Sequence, residues 1–288
     1  MEFGTIIHRL IEEHSRKPRL RQFNSFLTSW VRNKYASLSP DDFSEQFKLA
    51  KVALIIFEQY IKHYADIKHK YFAQEQVFRE KYVLPSGRSL IIRGRMDEII
   101  QHPSGLLLQE NKTKSRFSWD VVKATLPKNM QTMFYCTAIQ AKYRTSPIGV
   151  LYNVIRKPGI KQKQKESDQA FLERIKAEVA ENPDHYFYRH EYIFSESDLH
   201  EWQCRTLNPN LESLCLWWES IKANPTNRWA TPSGEVNVHH YERPFGVYEP
   251  MTNGKGEFFD LIVNKNPRNL VRVETLFPEL EDDEEESD

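Results

Sequence analysis

Residues 106–114 read LLLQENKTK, and the fold turns on where this run is placed. Leu106, Leu107 and Leu108 open it as a buried strand, yet the chain continues without a turn residue into Glu110, Lys112 and Lys114. Upstream, His102-Pro103-Ser104-Gly105 has turn composition, and residues 89–100 (SLIIRGRMDEII) form a second strand. With 102–105 as a hairpin turn, Gln101 faces Leu106, and stepping along the strands brings Asp97 opposite Glu110. Side chains so paired have Cβ atoms about 5 Å apart. Strand alternation puts Lys112 on the face of Glu110. Two carboxylates and an ammonium therefore converge at one end of a sheet.

Like charges across a hairpin destabilise it, and burial raises carboxylate pKa values at a cost in stability. A divalent cation between the two acids reverses the sign of that effect. Mg²⁺ takes oxygen ligands from one or two carboxylates together with water and phosphate. Asp97, Glu110 and the backbone carbonyl of Asn111 are the candidate ligands. Lys112 is the candidate for orienting a metal-bound water and stabilising charge on a phosphate. The plain alternative is a surface hairpin in which Glu110 pairs with Arg95 or Lys112, a contact worth under about 1 kcal/mol. An aspartate followed by E-x-K is too common a pattern to decide between the two.

The flanking sequence alternates helix and strand. Residues 3–13 carry Phe3, Ile6, Ile7, Leu10 and Ile11 at helical spacing, and 41–70 repeat the pattern after a cap at Ser39. Strands follow at 76–84 and 89–100, separated by Pro85-Ser86-Gly87, and then at 106–112. Residues 127–143 form a helix with Pro127 in its first turn, and 148–155 a strand. Helix 168–182, strand 186–194 and helix 196–222 complete the pattern, with Trp217-Trp218 anchoring the last helix in the core. This order predicts an α/β fold: a central mixed sheet containing an antiparallel meander, flanked by helices. One domain is expected over 1–224, then an irregular extension packing on it over 225–276, then a disordered acidic tail over 277–288.

Composition narrows the partner. The chain has 288 residues, 40% hydrophobic, enough for one sizeable core. No run approaches the roughly 18 apolar residues of a membrane span, and MEFGTIIHRLIEEH does not read as a secretory signal. Three cysteines, none in a CxxC pair, argue for a reducing, cytoplasmic setting and against zinc ribbons. Residues 1–165 hold 29 Lys+Arg against 14 Asp+Glu, and 166–288 hold 11 against 26. The basic half suggests a polyanion, although clustering of charge on surface helices accounts for it equally well.

Four short patterns occur in order: Gly4-x-x-x-His8, Gly94-x-x-Asp97, Glu110-x-Lys112 and Gln131-x-x-x-Tyr135. Together they resemble the PD-(D/E)XK nuclease superfamily, and within it the RecB-like exonuclease branch. The resemblance implies a restriction-endonuclease-like core and a DNA nuclease requiring Mg²⁺ or Mn²⁺. It implies that Asp97, Glu110 and His8 hold the metal with the Asn111 carbonyl, that Lys112 serves the transition state, and that Gln131 and Tyr135 border the site. Read without it, His8 among Ile6, Ile7 and Leu10 is a core histidine, and Tyr135 beside Met133 and Phe134 is packing. Many such nucleases carry four cysteines for an iron–sulfur cluster; this sequence has none near Gly4 or in 230–250, so no cluster is expected. It also has no GxxxxGK[ST] phosphate loop, so either a helicase or recombination partner is expected to unwind the substrate, or the substrate presents an end or a single strand. The family's range includes stand-alone, phage-type exonucleases.

Nucleic-acid contacts are expected from Arg93, Arg95 and Lys114 and from a flexible basic loop bearing Arg156, Lys157, Lys161, Lys163 and Lys165. A solvated loop explains the last five equally well. The function expected is thus an exonuclease. The alternatives are a nuclease-fold DNA-binding protein without turnover, or a structure- or site-specific endonuclease.

Overall fold

The turn at 102–105 closes as the register requires. Gly105, at φ 146°, takes a conformation other residues resist, and it pairs with His102. From there the antiparallel ladder runs through Gln101↔Leu106 to Glu98↔Gln109. The computed structural model describes residues 2–16, 23–36, 38–67 and 69–223. The expected extension over 225–276 and tail over 277–288 lie outside them.

Five strands form one sheet in sequence order: β1 (Lys70–Val83), β2 (Ser89–His102), β3 (Gly105–Lys114), β4 (Gly149–Arg156) and β5 (Phe187–Ile193). β2–β3 and β4–β5 are antiparallel and β3–β4 is parallel, so the sheet is mixed. The parallel step needs a crossover, supplied by α4 (Trp119–Thr125) and α5 (Met130–Tyr143). β4 is buried from Gly149 to Ile155, as a strand covered on both faces must be.

The two faces are covered by different helices. Ile155 and Phe187 join a core with Phe3, Ile6, Ile7 and Leu10 of α1 (Glu2–Arg16), Phe57 and Tyr60 of α3 (Pro40–His63), and Phe171 and Ile175 of α6 (Asp168–Glu181). Across the sheet, Tyr152 and Val154 pack against Val122 and Leu126, in and just after α4. α2 (Phe23–Lys34), absent from the sequence reading, adds Phe23, Leu27 and Val31 to the first core.

Several expected boundaries move. α3 ends at His63 rather than 70, because Tyr64 leaves the helix with its ring 3.8 Å beneath the Arg189 guanidinium. α5 begins at Met130, since Asn129 caps it by accepting the Thr132 N–H at 3.0 Å; Pro127 lies in a separate 3₁₀ turn, Leu126–Lys128. The predicted helix 196–222 is α8 (Glu196–Trp202), a wide turn Gln203–Leu207 and α9 (Asn208–Ala223), with α7 (Pro183–Tyr186) preceding β5. Trp218 is 52% exposed, so it does not anchor α9 in the core. Among the described residues no helix is long and apolar enough to cross a membrane.

The chain divides into two units. Among the described residues, one comprises those within 2–76 and 95–196, the other 77–94 and 197–223. Within the second, the β1–β2 turn is tied to α9: Arg88 pairs with Glu219 at 3.0 Å and also with Glu212, and Tyr82 donates to Asn208 at 2.8 Å. All the residues of the candidate site below belong to the first unit.

Candidate active site

α1 lies close against β3 because Gly4 has no side chain. A Cβ there would come within 2.7 Å of Thr113 Oγ1. One turn on, His8 Nδ1 stands 3.6 Å from Asp97 Oδ1. Burial disfavours the His8 cation, but the neighbouring Asp97 carboxylate outweighs it and raises the pKa. Burial likewise works against the Asp97 carboxylate, yet His8, the Asn111 backbone N–H and Lys112 hold its pKa below the usual value. A cleft of about 510 Å³ opens beside this pair, lined also by Thr5, Glu12, Trp30 and Glu75.

On β3, Glu110 is fully buried and Lys112 Nζ lies 2.6 Å from its Oε2. The ammonium serves Oε2, and the other buried carboxylate oxygen, Oε1, is left without a hydrogen-bond partner. Burial pushes the Glu110 pKa up to about 7, with Lys112 opposing and Asp97 adding to the shift. Lys112 also donates to Gln131 Oε1 at 2.9 Å, and Gln131 Nε2 donates to the Tyr135 hydroxyl at 3.2 Å. Gln131 and Tyr135, one helical turn apart on α5, thereby fix the ammonium from above the sheet.

Lys112 offsets the burial of the Glu110 charge only in part, since Oε1 has no partner and Asp97 adds a second buried carboxylate nearby. Glu110 and Asp97 therefore fit a hard divalent ion that takes one or two carboxylates and completes its shell with water and phosphate. His8 is not closed onto the same point. Among the described residues no group of three His, Cys, Asp or Glu side chains is arranged to hold one ion.

The opposite face of the same strand segments carries a polar network that the sequence reading missed. Asn111 Nδ2 donates to Glu98 at 3.1 Å, Gln109 also bonds Glu98, and Gln74 of β1 donates to Glu98 at 3.3 Å. Asn153 of β4 donates to Asn111 at 2.7 Å and to Tyr60 at 2.8 Å, and Arg189 of β5 donates to Tyr60 at 2.6 Å. Every strand contributes a member. The signal was available: Glu98, Gln109, Asn111 and Asn153 are polar residues within otherwise apolar strands, on the face away from Glu110.

The remaining predicted residues are dispersed. Arg95 is 3.2 Å from Glu75, a residue held at φ 45° whose pKa burial and Asp97 raise to about 7. Arg93 is exposed and lies in the other unit. Lys114 is half-buried at the end of β3. Arg156 lies 4.3 Å over Phe117, and Lys157 5.7 Å over Phe3. The loop bearing Lys161, Lys163 and Lys165, expected to be flexible, is pinned. Glu166 takes a bond from Arg174 at 2.7 Å and the Lys163 backbone N–H at 2.8 Å, Arg174 bonds the Lys161 carbonyl at 3.0 Å, and Lys165 adopts φ 65°.

A family model described as PD-(D/E)XK nuclease superfamily matches residues 1–208. Among solved structures, the crystal structure of SSO0001 is similar at 17% identity, covering 61% of this chain and 83% of that one with a TM-score of 0.25. No curated protein matches.

Proposed function

We propose that this chain, which belongs to the PD-(D/E)XK nuclease superfamily, is a Mg²⁺- or Mn²⁺-dependent deoxyribonuclease that works from strand ends. The observation that carries the reading is Glu110: a fully buried carboxylate, one strand from Asp97, with Lys112 on one oxygen and no partner on the other. The motif residues resemble those of the RecB-like branch, and this favours an exonuclease.

A bound divalent ion would activate water and polarise the scissile phosphate, with Asp97 and Glu110 as its holders and the Asn111 carbonyl beside them. Lys112 supplies fixed positive charge. Burial disfavours its ammonium, but Glu110 and Asp97 more than compensate and raise its pKa, so it stays cationic. It therefore stabilises charge developing on the phosphate rather than acting as a base. Gln131 orients Nζ, and His8 orients Asp97.

The test is cleavage of end-labelled linear DNA with Mg²⁺ or Mn²⁺, with chelator as control and closed circular DNA in parallel. Metal-dependent loss of the linear substrate with circles intact is the expected result. Cut circles would reject the end-dependent mode, and no cleavage of either DNA would reject the activity.

A further inference from the structure

The face that carries Glu110 and Lys112 continues across β4 and β5. Lys112 lies beside Val154, and Val154 beside Tyr188. One rung away, Glu110 lies beside Tyr152 and Tyr152 beside His190; on the other side of Lys112, Lys114 lies beside Arg156. Neighbouring strands are about 4.8 Å apart, so Tyr188 stands roughly 10 Å from Lys112 on the same face.

There the rings and cations form a continuous row. The Arg156 guanidinium lies 4.3 Å over Phe117, and Phe117 meets Trp119 at 3.8 Å with the rings inclined by 66°. Trp119 stacks on Tyr188 at 3.8 Å and 23°, and Lys123 lies 5.7 Å over Tyr188. Phe117, Trp119 and Tyr188 are each half-buried and Lys123 is exposed. Packing explains part of this: Phe117 and Trp119 cover Val122, Leu126, Tyr152 and Val154. It does not explain the charge. Arg156 Nε is buried without a hydrogen-bond partner, and among the described residues Lys114, Lys123 and Arg156 pair with no carboxylate.

We propose that Phe117, Trp119 and Tyr188, edged by Lys114, Lys123 and Arg156, form a platform that binds single-stranded DNA beside the candidate site. Each of the three half-buried rings keeps part of its surface for an unpaired base, which would share the row with Arg156 and Lys123, and these cations, paired with no carboxylate, would meet the phosphates. A duplex keeps its bases stacked on one another and gains only the phosphate contacts. The proposal deepens the nuclease reading by naming the form of its substrate, but the binding it describes is measurable without turnover.

The experiment uses the full chain carrying Lys112→Ala, with fluorescein-labelled oligothymidylate and a blunt duplex hairpin of equal length. Trp119→Leu, which keeps apolar volume without a ring, should weaken oligothymidylate binding roughly tenfold. It should leave hairpin affinity unchanged, and Trp119→Phe should keep most of the affinity. Tyr188→Leu should behave as Trp119→Leu does. Unchanged oligothymidylate affinity in both leucine variants, or equal losses on the two DNAs, overturns the platform. Cleavage by the protein with native Lys112 separates the two readings. Trp119-dependent binding without cleavage removes the nuclease and keeps the platform; single-strand cleavage indifferent to Trp119→Leu removes the platform alone.

Discussion

Asn111 gives its backbone N–H to Asp97 Oδ2 at 2.8 Å, just where the β2–β3 ladder has run out. Its side chain projects to the opposite face and joins Glu98 and Asn153. One residue thus ties the candidate metal carboxylate to a buried polar network behind the sheet. Such networks fix a strand's position only when every member is satisfied, and they are costly when broken.

Asn111→Leu keeps the N–H to Asp97 and removes the side-chain bonds to Glu98 and Asn153. Each buried group left unpaired costs about 1–3 kcal/mol, so urea unfolding should show a loss of at least that size. Metal affinity, followed calorimetrically, should fall as well. Native-like stability in this variant would mean the network does not hold the strands.

Glu98 makes the stability depend on pH. Burial, joined by the charge of Asp97 and opposed by Asn111, raises its pKa from 4.5 to about 7. The folded state therefore keeps a proton that the unfolded chain releases. Its contribution is fully present below the unfolded pKa and is lost as pH rises through the folded one, by about 3 kcal/mol. In metal-free protein, Glu98→Gln should flatten this decline between about pH 5 and pH 7. Parallel stability curves for the two proteins would contradict it.

The hairpin was legible because a turn of fixed length sets register, and register sets faces; Asp97, Glu110 and Lys112 follow from parity alone. α2 was missed because a short helix held mainly by Phe23, Leu27 and Val31 gives a weak pattern. The end of α3 is set by Arg189 over Tyr64, a contact more than a hundred residues apart in sequence. β1 extends from Lys70, earlier than expected, and its left-handed Glu75 interrupts the alternation that would mark a strand. Whether His8 meets the acids is likewise a property of how α1 packs, which local pattern does not contain.

Gly4 sets that packing. Gly4→Ala places a methyl 2.7 Å from Thr113 Oγ1, forcing α1 away from β3. Overpacking of this kind costs about 1–3 kcal/mol. Thr113→Ala removes the opposing hydroxyl, so the double variant should regain most of the loss. Additive effects in a thermal-unfolding cycle would show that the contact does not limit the approach of the helix.

Lys112 and Gln131 should behave as one unit. Lys112→Met keeps the bulk of the side chain and removes its charge, and it should lower kcat for DNA cleavage by about a hundredfold or more. Gln131→Ala leaves the ammonium held by Glu110 alone, without its second partner at 2.9 Å, and should cost roughly tenfold. If Gln131 acts only through Lys112, the double variant should be no slower than Lys112→Met, because an orienting bond has nothing left to orient. Multiplying losses would instead give Gln131 its own contact with the substrate. Tyr135→Phe supplies the control: the hydroxyl bonds Gln131 at 3.2 Å, so its removal should have a smaller effect than Gln131→Ala and vanish in that background.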